Sequence, residues 1–300
     1  MQLKNHSLHV IENLAHRIEL AEEQLKALDD GEYNLIYTTR ALQSLQKRIM
    51  RPLRIAILGE LNSGKSSLAN LLIRNIKLPT RAITNTRLPT LIFYSEKPTI
   101  HVISHDGTKI DVDVGLQGDL SDVFRLEIGL PEKSLKHREI LDCPGLSAIE
   151  MDDSDFNVSE HSVDGVLWCT IATAAWRENE MSAWFELSER TRVRSILVIT
   201  HKDQLSDDQL ERVLGRLQNE IGVFFKDIIG LSSRQAIAAF DQQQDYTDAA
   251  DGLWTKSGAA EFMMTFDALC ENIRLERAES ALRVVQRIAN RTLVRMDLNT

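Results

Sequence analysis

Three hundred residues carry 35 Lys and Arg against 44 Asp and Glu, a net charge of −9, with 43% hydrophobic and 26% charged residues. That composition suits one α/β domain with helical extensions, or two small domains. The acidic balance argues against general affinity for nucleic acid or an anionic membrane, leaving a local basic patch as the route to either.

Three cysteines, Cys143, Cys169 and Cys270, are odd in number and lack metal-ligand spacing, which reads as a reduced, cytosolic protein. The N-terminal stretch is interrupted by His and Glu, so it reads as neither signal peptide nor membrane span. No apolar run reaches about 18 residues; a membrane would be met from its surface.

The chain opens with a 3.6-residue period. Leu8, Ile11, Leu14, Ile18, Ala21, Leu25 and Leu28 predict an amphipathic helix over residues 7–29, ended by Asp29, Asp30 and Gly31. A second helix over 33–50 stops before Pro52. The apolar run at 53–58 then predicts a buried parallel strand, followed by a Gly-rich loop and the helix SSLANLLIR. Further strands are expected at 91–94, 99–103, 124–130, 139–141, 165–172, 195–200 and 227–232, with helices at 178–191, 206–222 and 233–240. Strands alternating with helices imply an α/β fold, a mainly parallel sheet with helices on both faces. His105-Asp106-Gly107 suggests an antiparallel hairpin inserted early in it. Residues 241–257 read as a polar surface loop, and the chain is helical from 259 to near its end. The expected division is N-terminal helices at 1–50, a nucleotide-binding domain at 51–257 and a C-terminal helix at 258–300 packing with the first.

Gly59 to Ser66, GELNSGKS, sits between that strand and helix, the context a phosphate-binding loop requires. Free N–H groups and partial positive charge at the helix N-terminus attract phosphate, and glycines let the backbone approach it. Lys65 is expected to reach the β- and γ-phosphates, Ser66 to bind Mg²⁺, and Ser67 with the loop amides, those of Ser63 and Gly64 among them, to hold the inner phosphates. Asp142-Cys143-Pro144-Gly145 follows a short strand: Asp142 could hold Mg²⁺ through water and the Gly145 amide could meet the γ-phosphate, or the segment is a turn. Thr200-His201-Lys202-Asp203 follows another strand. Asp203 could accept from guanine N1–H and its 2-amino group together, a donor pair adenine lacks, or serve as a cap. Ser232 and Ser233 could close over the base with backbone N–H groups.

In this order the four elements resemble the GTPases of the translation-factor-like superfamily across residues 52–240. With LPT at 78–80 and TNTRLPT at 84–90, the run LGELNSGKSSLANLL resembles bacterial dynamin-like GTPases. That resemblance implies GTP hydrolysis, Mg²⁺, a neck formed by the terminal helices and dimerisation across the nucleotide face. It makes Thr86 the first-switch threonine, a Mg²⁺ ligand and γ-phosphate sensor, with Thr84 and Thr90 as rivals. Two departures stand out. His201 occupies the usual lysine position of the guanine motif, with Lys202 one place late, and the chain is too short for both a long stalk and a lipid-binding element.

Small GTPases often place a water-orienting Gln after D-x-x-G; here it is Leu146, so help with hydrolysis must come from elsewhere. Asn62 stands where potassium-activated relatives carry Asn, making K⁺ a candidate second cation, or it only shapes the loop. A partner copy is the other source. The acidic run 150–155 reads as a second switch or a solvated loop. Arg283, Arg287, Arg291 and Arg295 form a cationic stripe suited to anionic lipid, RNA or an acidic partner, or to a solvated helix face. Trp168 and Trp176 read as packing residues. The alternatives to a dynamin-like switch are an Era-like RNA-associated GTPase, with no appended RNA module in view, and a nucleotide-binding scaffold with little hydrolysis.

Overall fold

The expected strands assemble into one sheet. The computed structural model describes residues 6–28, 36–73, 88–111, 122–146, 161–241 and 252–297. Its strands are β1 (Leu53–Gly59), β2 (Thr90–Tyr94), β3 (Thr99–Ser104), β4 (Lys109–Asp111), β5 (Val123–Leu130), β6 (Arg138–Asp142), β7 (Gly165–Ile171), β8 (Ser195–Thr200) and β9 (Asp227–Leu231). They lie in the order β4-β3-β5-β2-β6-β1-β7-β8-β9. From β6 to β9 every pairing is parallel. β2 runs antiparallel to β6, and β3 is antiparallel to both β4 and β5. The inserted hairpin is therefore present, its turn eased by Gly107 at φ 85°. β4 escaped the sequence reading because all its residues are exposed, so no apolar alternation marks it.

Helices are α1 (His6–Leu28), α2 (Ile36–Met50), α3 (Lys65–Leu72), α4 (Glu178–Glu186), α5 (Glu189–Arg192), α6 (Asp207–Ile221), α7 (Ser233–Asp241), α8 (Leu253–Lys256) and α9 (Ala259–Asp297). The single helix expected over 178–191 is two, because Ser188 accepts from the Thr191 amide and starts a new turn. Within the expected loop 241–257, α8 forms, and Trp254 meets Phe240 edge-on at 5.9 Å. α6 begins with a capping box, Ser206 with Gln209.

The chain divides into two compact units, Met1–Arg51 with Cys270–Thr300, and Pro52–Leu269; the division falls inside α9. In the first, Ile11, Leu14, Ile18, Leu42, Leu45 and Ile49 pack with Ala278 and Ala281. Glu271 accepts from the Ser7 amide and hydroxyl, each at 2.7 Å. Arg277 donates to the Arg51 carbonyl at 2.5 Å and is buried, as is Arg274, so these two arginines serve the bundle. Arg283 and Arg287 are exposed, and the side chains of Arg291 and Arg295 lie outside the described residues. No helix among the described residues is long and apolar enough to cross a membrane.

In the second unit β1, β7 and β8 are buried almost throughout, as central strands covered on both faces must be. Trp168 and Trp184 are fully buried and, with the buried Phe225 and the half-buried Trp176, form an aromatic cluster with edge-to-face contacts. The three cysteines are free and buried.

His161 is 2% exposed and stacks on Phe124 at 4.4 Å. Burial, then the charges of Arg125 and Arg54, lower its pKa to about 4 from 6.5. Between those values the unfolded chain binds a proton that the folded chain refuses, so this contribution is full above the unfolded pKa and is lost as pH falls. His161→Phe keeps the stacking and removes the titration. From pH 7 to 4 the wild type should lose on the order of 2 kcal/mol more stability than the variant in urea unfolding; parallel losses would contradict this assignment.

Candidate nucleotide site

β1 delivers the chain into the loop at Gly59, whose φ of 139° and closeness to β7 admit no side chain: a Cβ there would lie 2.1 Å from the Cys169 carbonyl oxygen. The loop turns through Asn62, at φ 62°, in the left-handed region that Asn tolerates better than most residues. Gly64, at φ 82°, then caps α3. The Thr200 hydroxyl lies 2.8 Å from the Ser63 carbonyl and 3.0 Å from that of Thr170, fastening the loop to the C-terminal ends of β7 and β8. Gly145 closes the other side, where a Cβ would come within 2.8 Å of the Leu61 amide nitrogen.

These elements enclose a cavity of ≈ 390 Å³ lined by residues 61–67, Leu88, Thr90, Asp142, Cys143, Gly145 and His201. Ser66 and Ser67 face it exposed. Ser63 does not: its hydroxyl is buried without a partner, so the loop offers its backbone there and not the side chain. Lys65 is 8% exposed and donates to the carbonyls of Gly59 at 3.0 Å and Glu60 at 2.7 Å. Its ammonium is folded onto the loop and must turn outward to meet a phosphate. Burial lowers its pKa, against the raising effect of Cys169 and Asp142.

Asp142 ends β6. Its Oδ2 accepts from the Ser66 hydroxyl at 2.9 Å, while Oδ1 is buried with no hydrogen-bond partner. Burial raises its pKa, outweighing the Ser66 hydrogen bond and the charge of Lys65. An unsatisfied carboxylate oxygen beside a hydroxyl is a fitting donor set for a hard cation such as Mg²⁺. Thr84 and Thr86 lie outside the described residues. Their rival Thr90 is in the cavity wall, paired in register with Asp142, but its hydroxyl turns to the Leu88 carbonyl at 3.4 Å. Leu146 packs against the sheet core and brings no polar group to a water. The acidic run 150–155 is also outside the described residues.

The base-side motifs meet as well. His201 takes a left-handed backbone, φ 55°, and its Nε2 stands 3.4 Å from where a Gly64 Cβ would be. Asp203, its side chain 8% exposed, accepts from Arg234 Nη2 at 2.7 Å. Burial pushes this carboxyl up, but hydrogen bonds from Ser232 and Arg234 prevail and its pKa is lowered. Thr200 points its hydroxyl at the loop, so it braces the loop. Ser232 corrects an expectation: its amide donates to the Ser257 carbonyl at 2.8 Å and is not free to cover a base. Ser233, likewise buried, begins α7; the Gln235 and Ala236 amides of its first turn are taken by the Ser232 hydroxyl and carbonyl, which leaves those of Ser233 and Arg234 for the task.

A rear wall went unread in the sequence. Glu180 is buried and accepts from Thr170 Oγ1 at 3.0 Å, the Arg177 amide at 3.0 Å and Trp168 Nε1 at 3.3 Å. Burial raises its pKa against those bonds. Through Thr170 it stiffens the strand end on which Thr200 and the loop rest. Asn179, next to it, donates to the Glu60 carboxylate of the loop. No motif marks these residues, because the partners lie 10 and 119 residues away in sequence.

Residues 55–202 match the sequence profile of the Dynamin family. Dynamin-like protein 2 of Campylobacter jejuni subsp. jejuni (serotype O:23/36, strain 81-176) is 28% identical over 202 residues, covering 65% of this chain and 33% of that protein. Isoniazid-induced protein IniC of Mycobacterium tuberculosis is 31% identical over 123 residues, 38% of this chain and 25% of its own. The chain thus spans a third or less of the length of these relatives. A solved structure described as an oligomerised bacterial dynamin pair that provides a mechanism for long-range sensing and tethering of membranes aligns over 97% of this chain and 56% of its own. Its TM-score is 0.64 at 17% identity, a likeness of fold.

The tight approach of Gly145 to Leu61 makes a prediction. Gly145→Ala must push the loop off its position, an overpacking of about 1–3 kcal/mol, and calorimetric titration should show triphosphate affinity falling roughly 10- to 100-fold with the circular dichroism spectrum unchanged. Unaltered affinity would mean the loop does not depend on this contact.

Proposed function

On the premise that residues 55–202 are a GTPase domain of the Dynamin family, we propose that the chain binds GTP with Mg²⁺ in the cavity at Gly59–Ser66, hydrolyses it to GDP and phosphate, and changes its associations with the nucleotide state. The observation that carries this is convergence. The phosphate-loop residues, Asp142, Gly145 and His201 line one cavity of ≈ 390 Å³, a volume in the range of small-molecule sites.

In this reading Lys65 leaves the loop carbonyls for the β- and γ-phosphates, and the loop amides with the N-terminus of α3 hold the phosphate chain. Ser66 and Asp142, with Thr86 from the first switch, would hold Mg²⁺, which when bound neutralises charge on the phosphate oxygens. The Gly145 amide would sense the γ-phosphate. Asp203 would select guanine through N1–H and the 2-amino group, with His201 beside the base.

Leu146 gives the attacking water no partner, so intrinsic turnover is expected to be slow. Two aids are proposed. Asn62 is exposed in the cavity lining and could hold K⁺ across the phosphates, and a second copy docked over the nucleotide face could complete the site. The bundle of α1, α2 and the end of α9 would act as a neck carrying the nucleotide signal. The exposed Arg283 and Arg287, with Arg291 and Arg295 further along, offer a cationic stripe for an anionic membrane surface or an acidic protein. RNA is the weaker partner candidate, on a chain of net charge −9.

Phosphate release assays in potassium and in sodium, across protein concentrations and with ATP as control, test the reading. GTP should be turned over in preference to ATP, with a rate that rises with potassium, with protein concentration, or with both. Binding without turnover under every condition would leave a nucleotide-dependent scaffold instead.

A further inference from the structure

The guanine motif lacks its lysine, and the geometry says which cation stands in. His201 fills the usual lysine position but lies against the loop, its Nε2 3.4 Å from the place of a Gly64 Cβ. Lys202, one place late, is turned the other way: its Nζ is 3.5 Å from where a Gly258 Cβ would be. Among the described residues, neither is a partner of the Asp203 carboxylate. That group is held instead by Ser232 and by Arg234, whose Nη2 approaches Oδ2 to 2.7 Å.

Arg234 is oddly placed for a merely decorative surface charge. It is in the first turn of α7, where the helix end carries partial positive charge and disfavours a cation. Its side chain is 83% exposed while that of Asp203 is 8% exposed, so it reaches from solvent down to a nearly buried acceptor. A carboxylate offers about four lone-pair positions. One N–H from Arg234, one hydroxyl from Ser232 and the residue's own backbone N–H fix its plane. Guanine presents two donors, N1–H and the 2-amino group, side by side, to the carboxylate edge that those bonds leave open.

We infer that Arg234 is a positioning residue for base selection: it holds the Asp203 carboxylate in the plane where both guanine donors are met, the task left undone by the absence of a lysine at position 201. The inference rests on the guanine reading of the site and deepens it. Arg234 acts through Asp203 by one N–H, Nη2 to Oδ2 at 2.7 Å, and the planar guanidinium matters more than its charge, because it presents that donor in a fixed direction.

The test is equilibrium titration of the full chain with Mg²⁺ and GTP, ITP or ATP, for the wild type, Arg234→Gln and Arg234→Lys. ITP lacks the 2-amino group, so the GTP-to-ITP affinity ratio reads the second hydrogen bond. The wild type should prefer GTP over ITP by about tenfold, the worth of a hydrogen bond to a charged acceptor. Arg234→Gln should bring the ratio near one by weakening GTP, with ITP little changed and thermal unfolding unmoved. Arg234→Lys should restore the ratio only in part. A ratio unchanged in Arg234→Gln overturns the inference, and so does tighter GTP binding, which would make Arg234 a plug. A wild type that binds ATP as well as GTP removes the guanine reading itself, and is recognised before any substitution is made.

Discussion

Everything at this site depends on a lack of room. The phosphate loop is pressed against the end of β7, where the Cys169 carbonyl would sit 2.1 Å from any Cβ on Gly59. On its other side Gly145 lies so close to Leu61 that a Cβ would meet the backbone at 2.8 Å. Backbones this close have only hydrogen atoms between them, so the loop has one shape. The Thr200 hydroxyl, bridging the Ser63 and Thr170 carbonyls at 2.8 and 3.0 Å, locks that shape to the sheet. Ordering the loop in advance removes a cost that ligand binding would otherwise carry.

Burial sets the electrostatics. Lys65 and Asp142 are opposite charges withdrawn from water, and desolvation disfavours the charged form of each, lowering the pKa of Lys65 and raising that of Asp142. Each has makeshift partners: loop carbonyls for the ammonium, the Ser66 hydroxyl for one carboxylate oxygen, and nothing for the other. A site with unmet electrostatic demand of both signs suits a ligand that brings both, a polyanion with a divalent cation. Behind it Glu180 is buried too, but with three donors; that satisfied carboxylate is part of the wall.

The sheet was legible because its central strands are continuous apolar runs, and the loop because glycines and a lysine at fixed spacing have few other uses. β4 was not legible, since three exposed residues carry no pattern, nor was the break between α4 and α5, which hangs on one Ser188 cap. At the site, many of the residues that gather around the cavity could be read, but not where their atoms point. Ser63 turns inward, Ser232 spends its amide on Ser257, and Thr200 braces the loop. Arg234 directly follows Ser233, yet only the fold brings it to Asp203 across 31 residues of sequence. Asn179 and Glu180 belong to the same class: side-chain partners made by topology leave no local signature.

The central claim is that a guanine nucleotide occupies this loop and reaches from Lys65 to Asp203. Hydrogen–deuterium exchange of the full chain with Mg²⁺ and a non-hydrolysable GTP analogue, against the matching ATP analogue, addresses it directly. The account predicts protection of the loop at 59–66, of 142–145 and of 201–203 with the guanine analogue, and little with the adenine one. Protection that is absent from these segments, or equal for the two analogues, would contradict it.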